Sequence, residues 1–290
     1  MQALKLKAMN INKQTVLVAM SGGVDSSVAA GLLLEQGFQV VGITLLFRPC
    51  NDSQNVSWCC GQGAAENAMS VCRKLNIRHY TVDCSSEFES KVLHYSWQEY
   101  QRGRTPNPCI HCNTHIKFAI MQSKAKALGA DYIATGHYAE LLHGEIPILK
   151  RAEFAPKDQT YFLFALDREV LNKTLFPLGT LSKPKVRELA AKWNFSNAKR
   201  PESQDACFVS EGNSFAEALR ERFNEVMLEG SIVNEKGEIL GTHRGIHQYT
   251  IGQRRGLRIA LGYRAYVSKI DTQKNAVILS EREESLLSRG

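Results

Sequence analysis

Two groups of residues in this 290-residue chain have the types and spacing that chemistry needs. The first is Ser21-Gly-Gly-Val-Asp-Ser-Ser27. Gly22 and Gly23 lack a Cβ, so the backbone there can bend sharply and let a ligand approach. Ser21, Ser26 and Ser27 supply hydroxyls, and a helix opening at Asp25 aims free N–H groups at whatever sits above it. That set suits an anion, a phosphate or pyrophosphate above all. The second group is three cysteines in polar, irregular surroundings. Cys109 and Cys112 form a C-x-x-C in a proline-rich loop, and Cys207 lies in Arg200-Pro-Glu-Ser-Gln-Asp-Ala-Cys-Phe208. Neighbouring Arg, Lys and His residues make these thiols candidates for a lowered pKa, and the thiolate is the reactive form.

Three uses of those cysteines stay open. Zinc needs four ligands, and the chain has no second C-x-x-C. An iron–sulfur cluster with one open iron position suits the three ligands Cys109, Cys112 and Cys207. A redox pair between Cys112 and Cys207 is the third. Cys50, Cys59, Cys60 and Cys84 read as structural or incidental, and Cys72 falls on the core face of a helix.

The elements that must position these groups alternate. Val16 to Met20 reads as a buried strand and Asp25 to Glu35 as a helix stopped by Gly37. Phe38 to Leu46 is a second buried strand, Gln62 to Leu75 a helix, His79 to Asp83 a strand and Glu87 to Gln101 a helix. Pro106 and Pro108 predict that 103–113 is irregular. A helix over His115 to Leu128, a strand at Asp131 to Thr135 and a Ser182-capped helix over Lys183 to Trp193 follow. Alternation at this spacing predicts an α/β fold with a doubly wound parallel sheet. Ligands of such sheets lie beyond the carboxyl ends of the strands, where Met20, Leu45 and Gly136-His-Tyr138 all fall. After Gly212 the pattern changes to short β-like runs between glycine turns, at 231–233, 238–240, 263–267 and 276–279.

Composition is that of a globular chain, 43% hydrophobic and 22% charged. No run approaches the roughly 18 apolar residues of a membrane span, and Met1 to Asn10 has no apolar signal core, so a cytoplasmic protein without a membrane partner is expected. A net charge of +7 favours polyanionic partners.

The serine–glycine loop lacks the Lys-Ser/Thr of a Walker loop and the G-x-G-x-x-G spacing. It resembles the PP-loop of the ATP pyrophosphatases, which split ATP into AMP and pyrophosphate. Further motifs occur with it, in order: Gly103-Arg-Thr-Pro-Asn-Pro with Cys112-Asn113, Ile116-Lys-Phe118, Ala134-Thr-Gly-His-Tyr138, Lys157-Asp-Gln-Thr-Tyr161, Glu202-Ser-Gln-Asp with Cys207-Phe208, and Tyr249-Thr-Ile-Gly-Gln-Arg-Arg-Gly-Leu257. Together they resemble the bacterial tRNA-specific 2-thiouridylase family over about residues 14 to 280.

That resemblance implies an enzyme that adenylates the C2 oxygen of the wobble uridine and replaces it with sulfur. It implies ATP-phosphate contacts at Ala19, Met20, Ser21, Gly22, Gly23, Val24, Asp25 and Ser26, with Mg²⁺, and adenosine contacts at Leu45 and Gly136. Cys207 matches the persulfide carrier and Cys112 its partner nucleophile, the two forming a disulfide as sulfur is released. Asn107, Pro108 and Cys109 match the target-base contact, and Lys157, Asp158 and Gln159 a tRNA contact. Some members carry Asp where this chain has Cys109, which weakens an acid/base role there. The implied partners are tRNAs of the Glu, Gln and Lys type and a sulfur carrier or other persulfide donor. Arg244, Arg254, Arg255 and Arg258 are candidates for phosphate contacts to the anticodon stem.

The implied division is a PP-loop domain over 1–210, a small central tRNA-binding domain over 211–262 and the beginning of a truncated β-barrel over 263–290. Two rival functions stand beside this one. One is a PP-loop sulfurtransferase acting on another substrate. The other is a non-catalytic RNA-binding or iron–sulfur protein.

Overall fold

A computed structural model describes residues 14–47, 62–200, 214–259 and 261–281. The chain divides into two compact units, one of 1–91 with 109–207 and one of 92–108 with 208–290.

In the first unit the strand β1 (Thr15–Ala19) leads through the serine–glycine turn into α1 (Val24–Glu35). Then come β2 (Gln39–Leu46), α2 (Gln62–Lys74), β3 (Arg78–Asp83) and α3 (Ser85–Phe88). Val16, Leu17 and Val18 are completely buried, because the central strand of a parallel sheet is covered on both faces. The strand β4 (Tyr132–Ala134), the hairpin β5 (Ala139–Leu142) and β6 (Ile148–Arg151), and the two-residue β7 (Thr174–Leu175) complete the strands of this unit. The sheet order is β3-β2-β1-β4-β7, and every pairing is parallel. The chain therefore winds outward from β1 in one direction through β3 and then in the other through β4 and β7. The crevice between β1 and β4 is the switch point where such sheets bind ligands.

Between the two halves of the chain, the expected helix over 87–101 is not uniform. A π-helical segment, Glu89–His94, separates α3 from α4 (Tyr95–Gln101). The expected irregular stretch at 103–113 also contains a helix, α5 (Pro108–Cys112), followed by a π-helical turn at Asn113–Lys117 and then α6 (Phe118–Leu128). Pro108 is the first residue of α5, the position where a missing N–H and a fixed φ cost a helix nothing. The short α7 (Arg168–Asn172) and α8 (Lys183–Lys192) close the unit, with Ser182 Oγ accepting from Lys185 N as α8's cap.

The second unit holds α4, α9 (Phe215–Arg222) and a four-stranded sheet of β8 (Gly230–Asn234), β9 (Ile239–His243), β10 (Tyr266–Asp271) and β11 (Ala276–Ser280). Its order is β10-β11-β8-β9, with β11 parallel to β8 and the other pairs antiparallel. The strands β10 and β11, which lie beyond residue 262, thus share one sheet and one core with β8: Ile232, Val267, Val277 and Leu279 are all buried in it. Segment 92–108 belongs to this unit. Trp97 on α4 meets the His247 ring edge-on at 5.7 Å, and Tyr100 lies 6.5 Å from Phe215 on α9. Among the described residues no helix is long and apolar enough to cross a membrane.

Candidate nucleotide and thiol site

The serine–glycine loop sits at the β1 carboxyl end, and its shape is fixed from several sides. Gly22 has φ +72, in the left-handed region, and a Cβ there would run into the Ala64 carbonyl. Ser26 Oγ donates to Gly23 O at 3.1 Å and accepts from Ser21 N at 3.1 Å, with Ser21 Oγ 3.2 Å away. Ser27 Oγ donates to Gly23 O at 3.0 Å and itself accepts from Asn197 Nδ2 at 2.9 Å. The same Asn197 amide reaches Gly22 O at 3.0 Å. No side chain caps α1, so the first-turn N–H groups of Val24, Asp25 and Ser26, which have no intrahelical acceptor, face the loop mouth. At the β4 end Gly136 passes so close that a Cβ would stand 2.7 Å from Ser26 N. A side chain at Gly136 would crowd the first-turn N–H groups of α1, so the glycine there leaves them open to a phosphate group.

Beside the loop, Asp25 meets a cation that sequence reading missed. Lys183 Nζ lies 2.7 Å from both Asp25 carboxylate oxygens and 5.9 Å from the Tyr138 ring centre, and Tyr138 Oη donates to Asp25 Oδ1 at 2.8 Å. Only 9% of Lys183 is exposed. A lysine in the first turn of a helix opposes the macrodipole, and that misplaced charge was the signal available in the sequence. Of the two adenosine-contact candidates, Leu45 is buried near the end of β2 and Gly136 follows β4, on either side of β1. On the β2 side, Thr44 Oγ1 donates to Met20 O at 2.7 Å and lies 2.8 Å from His79 Nε2. On the β4 side His137 is half-buried. Its Nδ1 lies 2.7 Å from Thr135 Oγ1, and burial, with Lys117 adding to it, drives its pKa well below 6.5.

The two described cysteines of the reactive set, Cys109 and Cys112, lie one turn apart on α5, half-buried and unlinked. The expected lowering of thiol pKa is not found at Cys112. Burial pushes this thiol up to about 11, with Cys109 adding to the rise and Lys117 opposing it. Positive neighbours in the sequence do not outweigh loss of water around a sulfur. Cys72 and Cys84 are buried, and burial raises both to about 12, in keeping with passive roles. Cys207, with Cys50, Cys59 and Cys60, lies outside the described residues. Among the described residues no group of three metal-binding side chains occurs.

The Lys157-Asp-Gln-Thr-Tyr161 segment joins the two halves of this unit's site. Asp158 accepts from Ala152 N at 2.8 Å and from Thr160 Oγ1 at 2.7 Å. Gln159 exchanges two bonds with Tyr138: its Oε1 accepts from Tyr138 N at 3.0 Å and its N–H donates to Tyr138 O at 2.9 Å. Three residues on, Phe162 O accepts from Asn113 Nδ2 at 3.0 Å. The segment is therefore tied at one end to the tyrosine that holds Asp25 and at the other to the residue after Cys112.

In the second unit, the Gly103-Arg-Thr-Pro-Asn-Pro loop is held by Arg104, which grips Glu99 with two bonds of 2.5 and 2.6 Å, and by Thr105, which donates to Thr250 at 2.9 Å. That loop carries Asn107 and Pro108. Arg244 and Arg255 are exposed. Arg254 and Arg258 line, with Arg264 and Tyr263, a groove of about 510 Å³.

Comparison with known proteins gives two matching family profiles. One, described as the tRNA methyl transferase HUP domain, covers residues 14–211, and the other, the tRNA methyl transferase PRC-barrel domain, covers 217–281. The tRNA-specific 2-thiouridylase MnmA of Symbiobacterium thermophilum is 46% identical over 279 residues, covering 93% of this chain and 71% of that protein. Its namesake in Halothermothrix orenii is 46% identical over 273 residues, covering 93% and 76%. In Lachnoclostridium phytofermentans the figures are 44% over 280 residues, 94% and 78%.

Proposed function

We propose that this chain, which belongs to the tRNA-specific 2-thiouridylase family, is a tRNA-uridine 2-sulfurtransferase. It uses ATP to activate the C2 oxygen of the wobble uridine and replaces that oxygen with sulfur. The observation that carries this reading is the coexistence, in one unit, of a side-chain-free phosphate cradle and the α5 thiols, joined through Tyr138, Gln159, Phe162 and Asn113. The domain description names methyl transfer. A phosphate loop and two thiols are the parts for adenylation and sulfur transfer instead.

ATP is a substrate here. Residues Ala19 to Ser26 receive its phosphates and Leu45 and Gly136 flank the adenosine; Mg²⁺ bound with the ATP would neutralise phosphate charge. Lys183 gives its ammonium to a phosphoryl oxygen as charge builds there. The uridine C2 oxygen attacks the α-phosphorus, pyrophosphate departs, and the oxygen becomes part of an AMP leaving group. The terminal sulfur of a Cys207 persulfide, loaded by a carrier or other persulfide donor, then attacks C2. The Cys112 thiolate attacks Cys207 Sγ, the bond to the transferred sulfur breaks, and its electron pair forms the thiocarbonyl as AMP leaves. A Cys112–Cys207 disulfide remains, and an external thiol reductant supplies the two electrons and two protons that return both cysteines to thiols before the next turn.

Because burial holds Cys112 protonated near neutrality, its proton must leave in this last step, and Lys117 is the cation that favours the charged form. Cys109, with Asn107 and Pro108, stands at the target base. Cys109 and Cys112, three positions apart on a short helix, would equally serve as two ligands of an iron–sulfur cluster with Cys207. The second unit, with its arginine groove, contacts the tRNA backbone. The tRNAs are of the Glu, Gln and Lys type.

The test is anaerobic incubation of the chain with unmodified tRNA, Mg-ATP and a persulfide donor, followed by nucleoside mass spectrometry. The expected product is 2-thiouridine, absent in Cys112→Ser and Cys207→Ser. AMP without thiolation would favour another acceptor substrate. tRNA binding without AMP, unaffected by Asp25→Ala, would favour a non-catalytic RNA-binding protein. Methylated uridine made with a methyl donor in place of ATP would overturn the reading. Iron and visible absorbance measured on the same preparation decide between cluster and thiol pair.

A further inference from the structure

The segment that bridges the nucleotide loop and the cysteine helix also presents two large aromatic faces to solvent. Tyr161 is 63% exposed and Phe164 65%, and their ring centres are 6.3 Å apart. Between them Leu163 is wholly buried and Phe162 half-buried, so the chain is pinned by its middle while its two outer rings are held out. The pinning is extensive. Asp158 closes the turn on Ala152 and Thr160, Gln159 is bonded twice to Tyr138, and Phe162 O is held by the buried Asn113 amide. Tyr161 is stiffened further by an edge-on contact with Phe162, their centres 5.6 Å apart.

Exposed aromatics are costly to leave in water, and paired rings on a braced turn that packs on β6, with Lys157 in the turn and on β6 the exposed Arg151 and a Lys150 that pairs with Glu140 at 3.4 Å, fit one class of occupant. An unstacked nucleobase has two apolar faces and a phosphate on each side, and RNA loops are recognised by stacking such bases on aromatic side chains. We propose that Tyr161 and Phe164 form a stacking platform for an anticodon-loop base of the tRNA. On this proposal Asp158 and Gln159 brace the platform through these bonds, and Lys157 contacts a phosphate. The platform lies on the segment running from the adenylating loop to Cys112, so a base stacked there is carried toward the chemistry once lifted from its own stack. The inference rests on the tRNA-thiolation reading and adds a binding site to it.

The experiment measures affinity of the full chain for unmodified tRNA by fluorescence anisotropy across a salt series, with ATP affinity as the fold control. Tyr161→Ala with Phe164→Ala is expected to weaken tRNA binding on the order of tenfold or more, without changing the slope against log salt. Lys157→Ala is expected to reduce that slope by about one. Tyr161→Phe and Phe164→Tyr retain wild-type affinity, because a ring rather than a hydroxyl is needed. As a direct reading, 2-aminopurine placed in the anticodon loop is quenched on binding wild type and not on binding the double Ala variant. If wild type thiolates tRNA and the double Ala variant binds with wild-type affinity and quenching, the platform is overturned while the enzymatic reading stands. If wild type neither binds nor thiolates tRNA, both fall.

Discussion

The phosphate loop and the cysteine helix belong to the same unit and differ in how finished they are. In the loop the three serine hydroxyls have partners, Gly22 is held where no side chain fits, and a buried lysine waits 2.7 Å from Asp25. On the cysteine helix the Cys112 thiol is protonated by burial. Next to it Asn113 Oδ1 is buried with no hydrogen-bond partner, and the helix runs directly into a π-helical turn, a form frequent at functional sites. The half that binds is preorganised at rest, as electrostatic stabilisation requires. On the proposed mechanism the half that moves sulfur holds a thiol that burial keeps protonated until its proton is removed.

The largest effects should separate the two halves. Cys112→Ser should abolish 2-thiouridine formation while leaving ATP affinity within about twofold, measured by nucleoside mass spectrometry and nucleotide titration. Gly22→Ala should do the reverse. A Cβ driven against the Ala64 carbonyl at φ +72 should weaken ATP binding by two orders of magnitude or so and lower stability by about 1–3 kcal/mol. If C112S lost ATP as well, the two halves would not be separable.

Lys183→Met should lower kcat for AMP formation by about a hundredfold, in line with loss of one charge-stabilising donor, with Lys183→Arg recovering part of it. An unchanged kcat would make the Lys183–Asp25 pair purely structural. A smaller effect is expected for Asp158→Ala, which removes two bonds from the bridging segment and should destabilise by about 1–3 kcal/mol in denaturant titration.

The smallest effect is on pH. His137 has a folded pKa well below 6.5, so the unfolded chain binds more protons between the folded value and 6.5. Its contribution to stability is complete above 6.5 and is lost as pH falls from there toward the folded pKa. His137→Gln should flatten the slope of stability against pH in that window.

The loop, the parallel sheet and the placement of the loop at β1's carboxyl end were legible because each depends on local spacing. Val16–Val18 read as a buried run, the glycines as a turn, and Asp25 as a helix start. Less legible were features that depend on partners. Pro108 suggested an irregular segment, yet it starts a helix, since at a first helical position proline loses no bond. The two residues of β7 make a strand only because Ile133 and Ala134 lie beside them.

What the sequence by itself determined is a family, a serine–glycine turn between a strand and a helix, and three candidate thiols, since residue types and short spacings carry that information. Tertiary structure alone decided which groups surround them. Lys183 reaches Asp25 across 158 positions, Asn113 reaches Phe162 across 49, and the protonation of Cys112 follows from burial rather than from the charges of its neighbours in the chain. Contacts of that range are chosen by packing, and desolvation at a thiol is a property of the packed interior that no short stretch of sequence contains.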